Sequence, residues 1–269
     1  MPAALTIAGS DSSAGAGIQA DLKTFAAFGV YGTSAVTAVT SQNTTGVSEA
    51  FPMPPQIVRS QIECIAGDVA LSAIKTGMLL TAEIVLVVAE AVGTFRLPNL
   101  VIDPVMTAGS PDRRTLLAPN AVSILKTRLF PLASVVTPNI AEAQALTGVK
   151  VESLESAREA ARMIFDLGPG AVVIKGGHLS GPQAIDLLYD GRTFTEFSAP
   201  RSRGNPVHGT GCAFASALAA GLALGDDLSV AVQRAKRYVT GAIEHSFTIG
   251  RGSRLLDHFW DRATRGLYS

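Results

Sequence analysis

The sequence predicts an α/β fold, a mainly parallel sheet flanked by helices, and three observations carry that prediction. Short apolar, β-branched runs alternate with longer segments of helical period, which is the pattern of strands joined by helical crossovers. The hydrophobic content, 47% of 269 residues, is ample for a core on both faces of a sheet. Polar and glycine residues cluster after the strand-like runs, where an open parallel sheet presents its ligand-binding edge. One large domain covering residues 1–269 is expected rather than two small ones.

In chain order, strands are expected at 5–8, 34–39, 73–76, 100–103, 134–137 and 171–175. Helices are expected at 15–28, 56–69, 82–92, 140–147, 154–167, 211–224 and 228–245. Ser153 and Asp227 are suited to N-caps, and Gly29, Gly148, Gly168 and Gly225 to helix ends. The run Pro52-Met53-Pro54-Pro55 reads as a loop leading into a helix. Runs 184–189 and 193–197 flank Asp190-Gly191-Arg192, a hairpin signal placed at one end of the sheet. No repeat, charge block or low-complexity linker marks a domain boundary.

Composition narrows the function. With 22 basic and 22 acidic residues the formal charge is zero, so the basic surface of a nucleic-acid binder is not expected and a small-molecule partner is. Cys64 and Cys212 stand far apart without a metal-binding spacing, which suggests neither a disulfide framework nor a zinc site. The N-terminus lacks a basic region ahead of an apolar stretch, and no run reaches the roughly 20 apolar residues of a membrane span. A cytoplasmic protein is expected.

The segments after five strands, beginning at Gly9, Gly77, Asp103, Thr137 and Gly176, converge on one crevice if the sheet is parallel. Lys175 closes an apolar run just before Gly176-Gly177-His178, so its ammonium either meets polyphosphate oxygens or extends to solvent. Asn139 and Glu142 lie three apart at a helix start. They either hold a hydrated magnesium ion or belong to a cap. Asp103, before Pro104, is either a magnesium or phosphate-water contact or a turn-stabilising aspartate. Asp21 and Lys23, early in a helix, face substrate or solvent, and Gln42 with Asn43 suits a heterocycle edge or a loop's own backbone.

Gly209-Thr210-Gly211-Cys212 opens an alanine-rich helix near the C-terminus. The first N–H groups of a helix have no intrahelical acceptor and the dipole adds positive charge, so this turn suits an anion. An ordinary glycine-rich turn with Cys212 as a small core residue is the competing reading. No Gly-x-x-x-x-Gly-Lys-Ser/Thr loop is present.

Together these segments match a known family. The run from Ala8-Gly9-Ser10-Asp11-Ser12-Ser13 through Gly15, Gly17, Asp21 and Lys23 to Phe25 resembles the hydroxymethylpyrimidine/phosphomethylpyrimidine kinases of thiamine biosynthesis, members of the ribokinase-like superfamily. So do Asp103-Pro104-Val105-Met106, Thr137-Pro138-Asn139 with Glu142, Lys175-Gly176-Gly177-His178 and His208-Gly209-Thr210-Gly211-Cys212, and the likeness reaches Asp257-His258-Phe259-Trp260. The resemblance implies a three-layer sandwich and two successive transfers of the ATP γ-phosphoryl group at one site. The first is to the hydroxymethyl oxygen of 4-amino-5-hydroxymethyl-2-methylpyrimidine, the second to the monophosphate.

By position, Gly9, Asp21, Gln42 and Met78 match the family's pyrimidine pocket, with Val105 beside it. Gly209, Thr210, Gly211 and Cys212 match the anion hole and Lys175 the phosphate-contacting lysine. Asp103, Asn139 and Glu142 match the side that holds ATP and Mg2+. Cys212 stands where sugar-kinase relatives carry an aspartate base. A thiol partly ionised by the helix start is therefore expected as general base in the first transfer, with less need of it in the second.

Ala14 replaces a common glycine, and the segment 107–114 departs from the usual lid, leaving Arg113 or Arg114 as substitutes for its lysine. The run 201–207 also differs from the usual nucleotide-side pattern. A homodimer is expected from the family. A pyridoxal or pyridoxine kinase is the nearest rival, and a non-catalytic pyrimidine-binding protein is the rival of another class.

Overall fold

The computed structural model describes residues 1–107, 116–177, 181–201 and 207–263. Arg113, Arg114, His178 and most of the 201–207 run lie outside the described residues. In chain order the first half holds β1 (Ala3–Asp11), α1 (Gly17–Phe28), β2 (Tyr31–Asn43), β3 (Gly46–Pro52), α2 (Pro55–Asp68), β4 (Leu71–Thr76), α3 (Ala82–Phe95) and β5 (Leu100–Ile102). After these come α4 (Pro119–Ile124), β6 (Val135–Val136), α5 (Ile140–Thr147), α6 (Leu154–Phe165), β7 (Val172–Ile174), β8 (Gln183–Tyr189) and β9 (Phe194–Pro200). The chain closes with β10 (Val207–His208), α7 (Thr210–Ala223), α8 (Leu228–Glu244), β11 (Arg254–Leu255) and α9 (Trp260–Ala263).

Strands β1 to β9 form one sheet in the order β3-β2-β1-β4-β5-β6-β7-β8-β9. From β2 to β7 the neighbours are parallel, while β3, β8 and β9 add antiparallel pairs at the two ends. Successive side chains on a strand point to opposite faces, and the core divides accordingly. Leu5, Ile7, Ile74, Ile102, Val136 and Ile174 pack on one face against α2 to α6. Ala4, Ala73, Val101, Val135 and Val173 pack on the other against α7 and α8. Small residues meet small residues there: Ala213, Ala217 and Ala220 of α7 are all fully buried, so that helix lies close on the sheet.

The expected strands and helices are all found, with ends displaced by a few residues. Helix α5 has the expected bounds because Asn139 caps it and Gly148, at φ 78°, ends it. Ser153 caps α6 through Ser156, whereas Asp227 occupies the cap of α8 without a side-chain bond. Pro55 opens α2 at its first position, as expected after the proline run. Strand β3 and helix α4 were not expected, and β2 continues to Asn43 because β3 pairs with it. Among the described residues no helix is long and apolar enough to cross a membrane.

Candidate active site

The ends of β1, β4, β5, β6 and β7 border one cavity of about 510 Å3, which the start of α7 closes from another side. That volume suits a small-molecule site. The convergence expected from the strand-end residues is therefore present: Gly9, Gln42, Met78, Val105, Asp103, Asn139, Glu142, Lys175 and Gly209 to Cys212 all line this cavity. Asp21 does not.

The start of α7 is built around backbone that only glycine supplies. Gly209 sits at φ 82°, and a Cβ there would lie 1.8 Å from the Gly15 carbonyl oxygen. The first i→i−4 bond of the helix runs from Ala213 N–H to the Gly209 carbonyl. The N–H groups of Thr210, Gly211 and Cys212 come before it, which is the arrangement that receives an anion. The Thr210 hydroxyl is turned back to donate to the Val207 carbonyl.

Lys175 and Asp103 face this helix start. The Lys175 ammonium donates to Asp103 Oδ1 at 2.7 Å, and a Cβ on Gly211 would sit 3.2 Å from Lys175 Nζ and 3.7 Å from Asp103 Oδ2. Gly211 thus keeps free the space between the orphan N–H groups and the lysine. Burial works against the Lys175 charge, but Asp103 and Glu142 more than offset it and hold the ammonium above the ordinary lysine value.

Asn139 and Glu142 spend their side chains on each other's backbone. The Asn139 side-chain oxygen accepts from Glu142 N–H at 2.9 Å, and Glu142 Oε2 accepts from Asn139 N–H at 2.8 Å, a reciprocal capping box. The pair still borders the cavity. Burial pushes the Glu142 carboxyl up to about 7, against the pull of Lys175. Among the described residues no group of three or more His, Cys, Asp or Glu side chains gathers as a metal cage. Mg2+ needs none, because it keeps waters and binds through one or two carboxylates together with phosphates. Asp103 and Glu142, the two carboxyl groups here, fit that mode, whereas Asn139, an uncharged amide, serves as the cap.

Asp21, expected in the pyrimidine pocket, is instead the centre of a buried ion pair. Lys75 Nζ lies 2.9 and 2.8 Å from its two oxygens, and the hydroxyls of Thr6 and Ser216 each donate to it at 2.6 Å. Asp21 and Lys75 are both fully buried. Every lone pair direction of the carboxylate that the fold offers is taken, so Asp21 ties α1, β1, β4 and α7 together and leaves nothing for a ligand. Lys75 itself reaches the cavity wall. Burial opposes its charge, but Asp21 keeps the ammonium above the ordinary value.

Cys212 also departs from expectation. Burial pushes its thiol up to about 12, because the opposing pull of Lys75 is weakened by Asp21 and Asp103. Each lysine that would stabilise a thiolate is already paired with a carboxylate. A thiol ionised at neutral pH, the basis for expecting a general base, is therefore not what this environment favours.

Elsewhere on the lining, Met78 joins Ala38, Val47 and Leu116 in a small apolar cluster against which Val105 packs. Gly9 leaves room for it: a Cβ there would lie 2.2 Å from the Met78 methyl. Gln42 also lines the cavity, with its amide against His208 at 2.9 Å, and His208 Nε2 lies 3.0 Å from Asp11 Oδ2. Asp11, His208 and Lys75 carry no role in the expectations drawn from the sequence. Their positions within the matched motifs or in an otherwise apolar strand were the available signal. A further buried pair, Lys236 with Asp186 at 3.0 Å, borders the cavity near α8.

The chain is similar to proteins of known family. The phosphomethylpyrimidine kinase family model matches residues 11–257. A hydroxymethylpyrimidine/phosphomethylpyrimidine kinase of Streptomyces coelicolor is 48% identical over 259 residues, covering 96% of this chain and 95% of that protein. The thiamine biosynthesis bifunctional protein ThiED of Geobacter sulfurreducens is 48% identical over 254 residues, 94% of this chain, which spans 51% of that longer protein. Among solved structures, an ADP complex of Bacillus subtilis pyridoxal kinase superposes with a TM-score of 0.90 at 38% identity, covering 98% of this chain and 99% of that one. The fold is ribokinase-like, and with a family model matched from the end of β1 to the residues just before α9, the chain belongs to the phosphomethylpyrimidine kinase family.

Proposed function

We propose that the chain transfers the ATP γ-phosphoryl group to the hydroxymethyl oxygen of 4-amino-5-hydroxymethyl-2-methylpyrimidine, and then a second one to the resulting monophosphate, as a step of thiamine biosynthesis. The observation that carries this reading is the lining of one cavity, which brings together orphan N–H groups at α7 facing Lys175 and an apolar wall with an amide edge at Met78, Val105 and Gln42. Phosphoryl transfer asks the protein mainly for positioning and charge neutralisation.

In this reading Lys175 and the N–H groups of Thr210, Gly211 and Cys212 hold the moving phosphoryl group. Met78 and Val105 cover the flat ring, and Gln42 and Gly9 meet its edge. Mg2+, held by Asp103, Glu142 and phosphate oxygens, would neutralise charge on the donor. With the Cys212 thiol protonated, the acceptor hydroxyl gives up its proton late, to an oxygen of the transferred phosphoryl group. Cys212 then contributes its N–H and a neutral wall. A homodimer and a cytoplasmic location belong to this reading and rest on the family resemblance.

Phosphorus NMR of product formation from ATP and Mg2+ tests it, with the pyrimidine and pyridoxal offered separately. Pyrimidine monophosphate followed by diphosphate is the expected result. The likeness to a pyridoxal kinase supports a second reading, and pyridoxal phosphate as the dominant product would establish that one. No transfer to either acceptor would leave a binding protein.

A further inference from the structure

The geometry points to Asp11 and His208 as positioning residues that fix the amide of Gln42 so that it offers the ring pocket an N–H donor. The inference rests on the pyrimidine kinase reading and extends it to substrate selection.

Asp11 is buried among donors. Its Oδ1 accepts from Ser13 N–H at 2.8 Å and from the Ser13 hydroxyl at 2.7 Å, and its Oδ2 accepts from Ala16 N–H at 2.8 Å. Burial alone would raise its pKa, but the His208 and Ser13 hydrogen bonds outweigh that and hold it below the ordinary carboxylate value. An ionised carboxylate only accepts, so the His208 Nε2 that lies 3.0 Å away must carry a hydrogen. A lone pair there would face a negative oxygen.

That hydrogen sets Gln42. The structure sets Gln42 Nε2 2.9 Å from His208 Nε2 and Gln42 Oε1 3.2 Å from Thr40 Oγ1, but two N–H groups cannot pair, so we assign the amide the other way round, with its oxygen beside His208. The other end lies 3.2 Å from Thr40 Oγ1, whose own proton goes to the Ser10 carbonyl at 3.0 Å, so Thr40 has a lone pair to receive an amide N–H. The two amide orientations have the same shape, and only this one gives each proton an acceptor. It uses one amide hydrogen on Thr40 and leaves the second for the cavity that Gln42 lines. A ring edge with an acceptor nitrogen is accepted there, and an edge presenting a hydrogen is refused.

The relay is built into the fold. His208 on β10 immediately precedes Gly209, the cap of α7, and Gly15 leaves space for its ring, since a Cβ on Gly15 would lie 2.6 Å from His208 Cδ2. The residue that orients the pyrimidine-facing amide thus also joins the anion-binding helix start.

The test compares kcat/KM for the parent pyrimidine and for its two analogues with one ring nitrogen replaced by C–H, in wild type and in Asp11→Asn. Wild type should prefer the parent over one analogue by about tenfold, the effect of one hydrogen bond. Asp11→Asn, which frees the His208 tautomer, should shrink that ratio to under about threefold with KM for ATP unchanged. Should Asp11→Asn fail to fold, Gln42→Glu carries the same test, because it keeps an acceptor for His208 and removes the donor to the ring. An unchanged ratio in either folded variant overturns the proposal, as does a wild-type ratio near one for both analogues. Wild-type turnover of the parent is the control: its absence would sink the kinase reading, whereas its presence with an unchanged ratio sinks only the relay.

Discussion

Removing Lys75 should destabilise the protein heavily, and removing Asp21 as well should restore much of the loss. The Asp21 carboxylate and the Lys75 ammonium are fully buried with N···O distances of 2.8 and 2.9 Å. Lys75→Met leaves a buried carboxylate with only the Thr6 and Ser216 hydroxyls for compensation, and breaking such a pair costs about 3–5 kcal/mol. At roughly 2–4 °C per kcal/mol for a domain of this size, Tm should fall by about 6–20 °C. Asp21→Asn alone strands the ammonium at similar cost. The double variant Asp21→Asn with Lys75→Met removes both charges and keeps an amide for the two hydroxyls. Its loss should therefore lie at least about 3 kcal/mol below the sum of the single losses. Urea unfolding followed by far-ultraviolet circular dichroism gives the three values, with equal m-values as the check on two-state behaviour. Additive losses would refute the buried-pair argument. Because Lys75 lines the cavity and Asp21 does not, the folded double variant should match the pyrimidine KM of Lys75→Met within about threefold. A tenfold rise would return Asp21 to the substrate pocket.

Three further outcomes follow from the site. Iodoacetamide should modify exposed Cys64 at least about a hundredfold faster than Cys212 at pH 8, and the Cys212 rate should still climb beyond pH 10, read by peptide mass spectrometry. In step with that, Cys212→Ala should slow both transfers equally and by less than about tenfold, whereas a loss confined to the first transfer would restore the thiol as its base. Lys175→Met should lower kcat by about 100- to 1,000-fold with little change in pyrimidine KM, because its ammonium faces the α7 start. For Glu142 the folded carboxyl titrates at about 7 against an ordinary 4.5, so the folded state binds more protons between those values. That stabilising contribution is full below the lower value and is lost as pH rises through the upper one. Glu142→Gln, uncharged throughout, should gain on wild type by up to roughly 3 kcal/mol between pH 5 and pH 8.5, read by thermal unfolding.

The sequence was most legible where the signal was local. Asn139 and Gly148 bracket α5 because a cap and a left-handed glycine act within a few residues of the helix ends. Strand β3 was missed because an edge strand with exposed Ser48 and Glu49 lacks the apolar run that betrays a central one. The candidate site was legible as a set of strand ends, since the parallel topology alone brings them to one edge. What those residues do there was less so. Asn139 and Glu142 lie three apart in either reading, a shared ligand face or a reciprocal cap, and only the side-chain directions distinguish them. Asp21 finds its partners 15, 54 and 195 positions away, on two strands and a helix. Its spacing within α1 therefore carried no hint that the carboxylate is used up.

Cys212 brings the same lesson to the chemistry. A cysteine in the first turn of a helix reads locally as an acidified thiol, because dipole and nearby lysines both favour the thiolate. The fold then supplies each of those lysines with its own carboxylate, Asp21 for Lys75 and Asp103 for Lys175. Burial raises the Cys212 thiol most, and while pairing keeps both ammonium groups charged, Asp21 and Asp103 work against the pull of Lys75 on the sulfur. Pairing also keeps the anion hole close to neutral before an anion arrives, with Lys175 held 2.7 Å from Asp103. In the proposed transfer an incoming phosphoryl group would compete with Asp103 for a lysine already charged and aimed. A site arranged in this way favours moving a charged group over activating a nucleophile, and it treats an alcohol and a phosphate acceptor alike. That equivalence gives a physical reason for one cavity to serve two successive transfers.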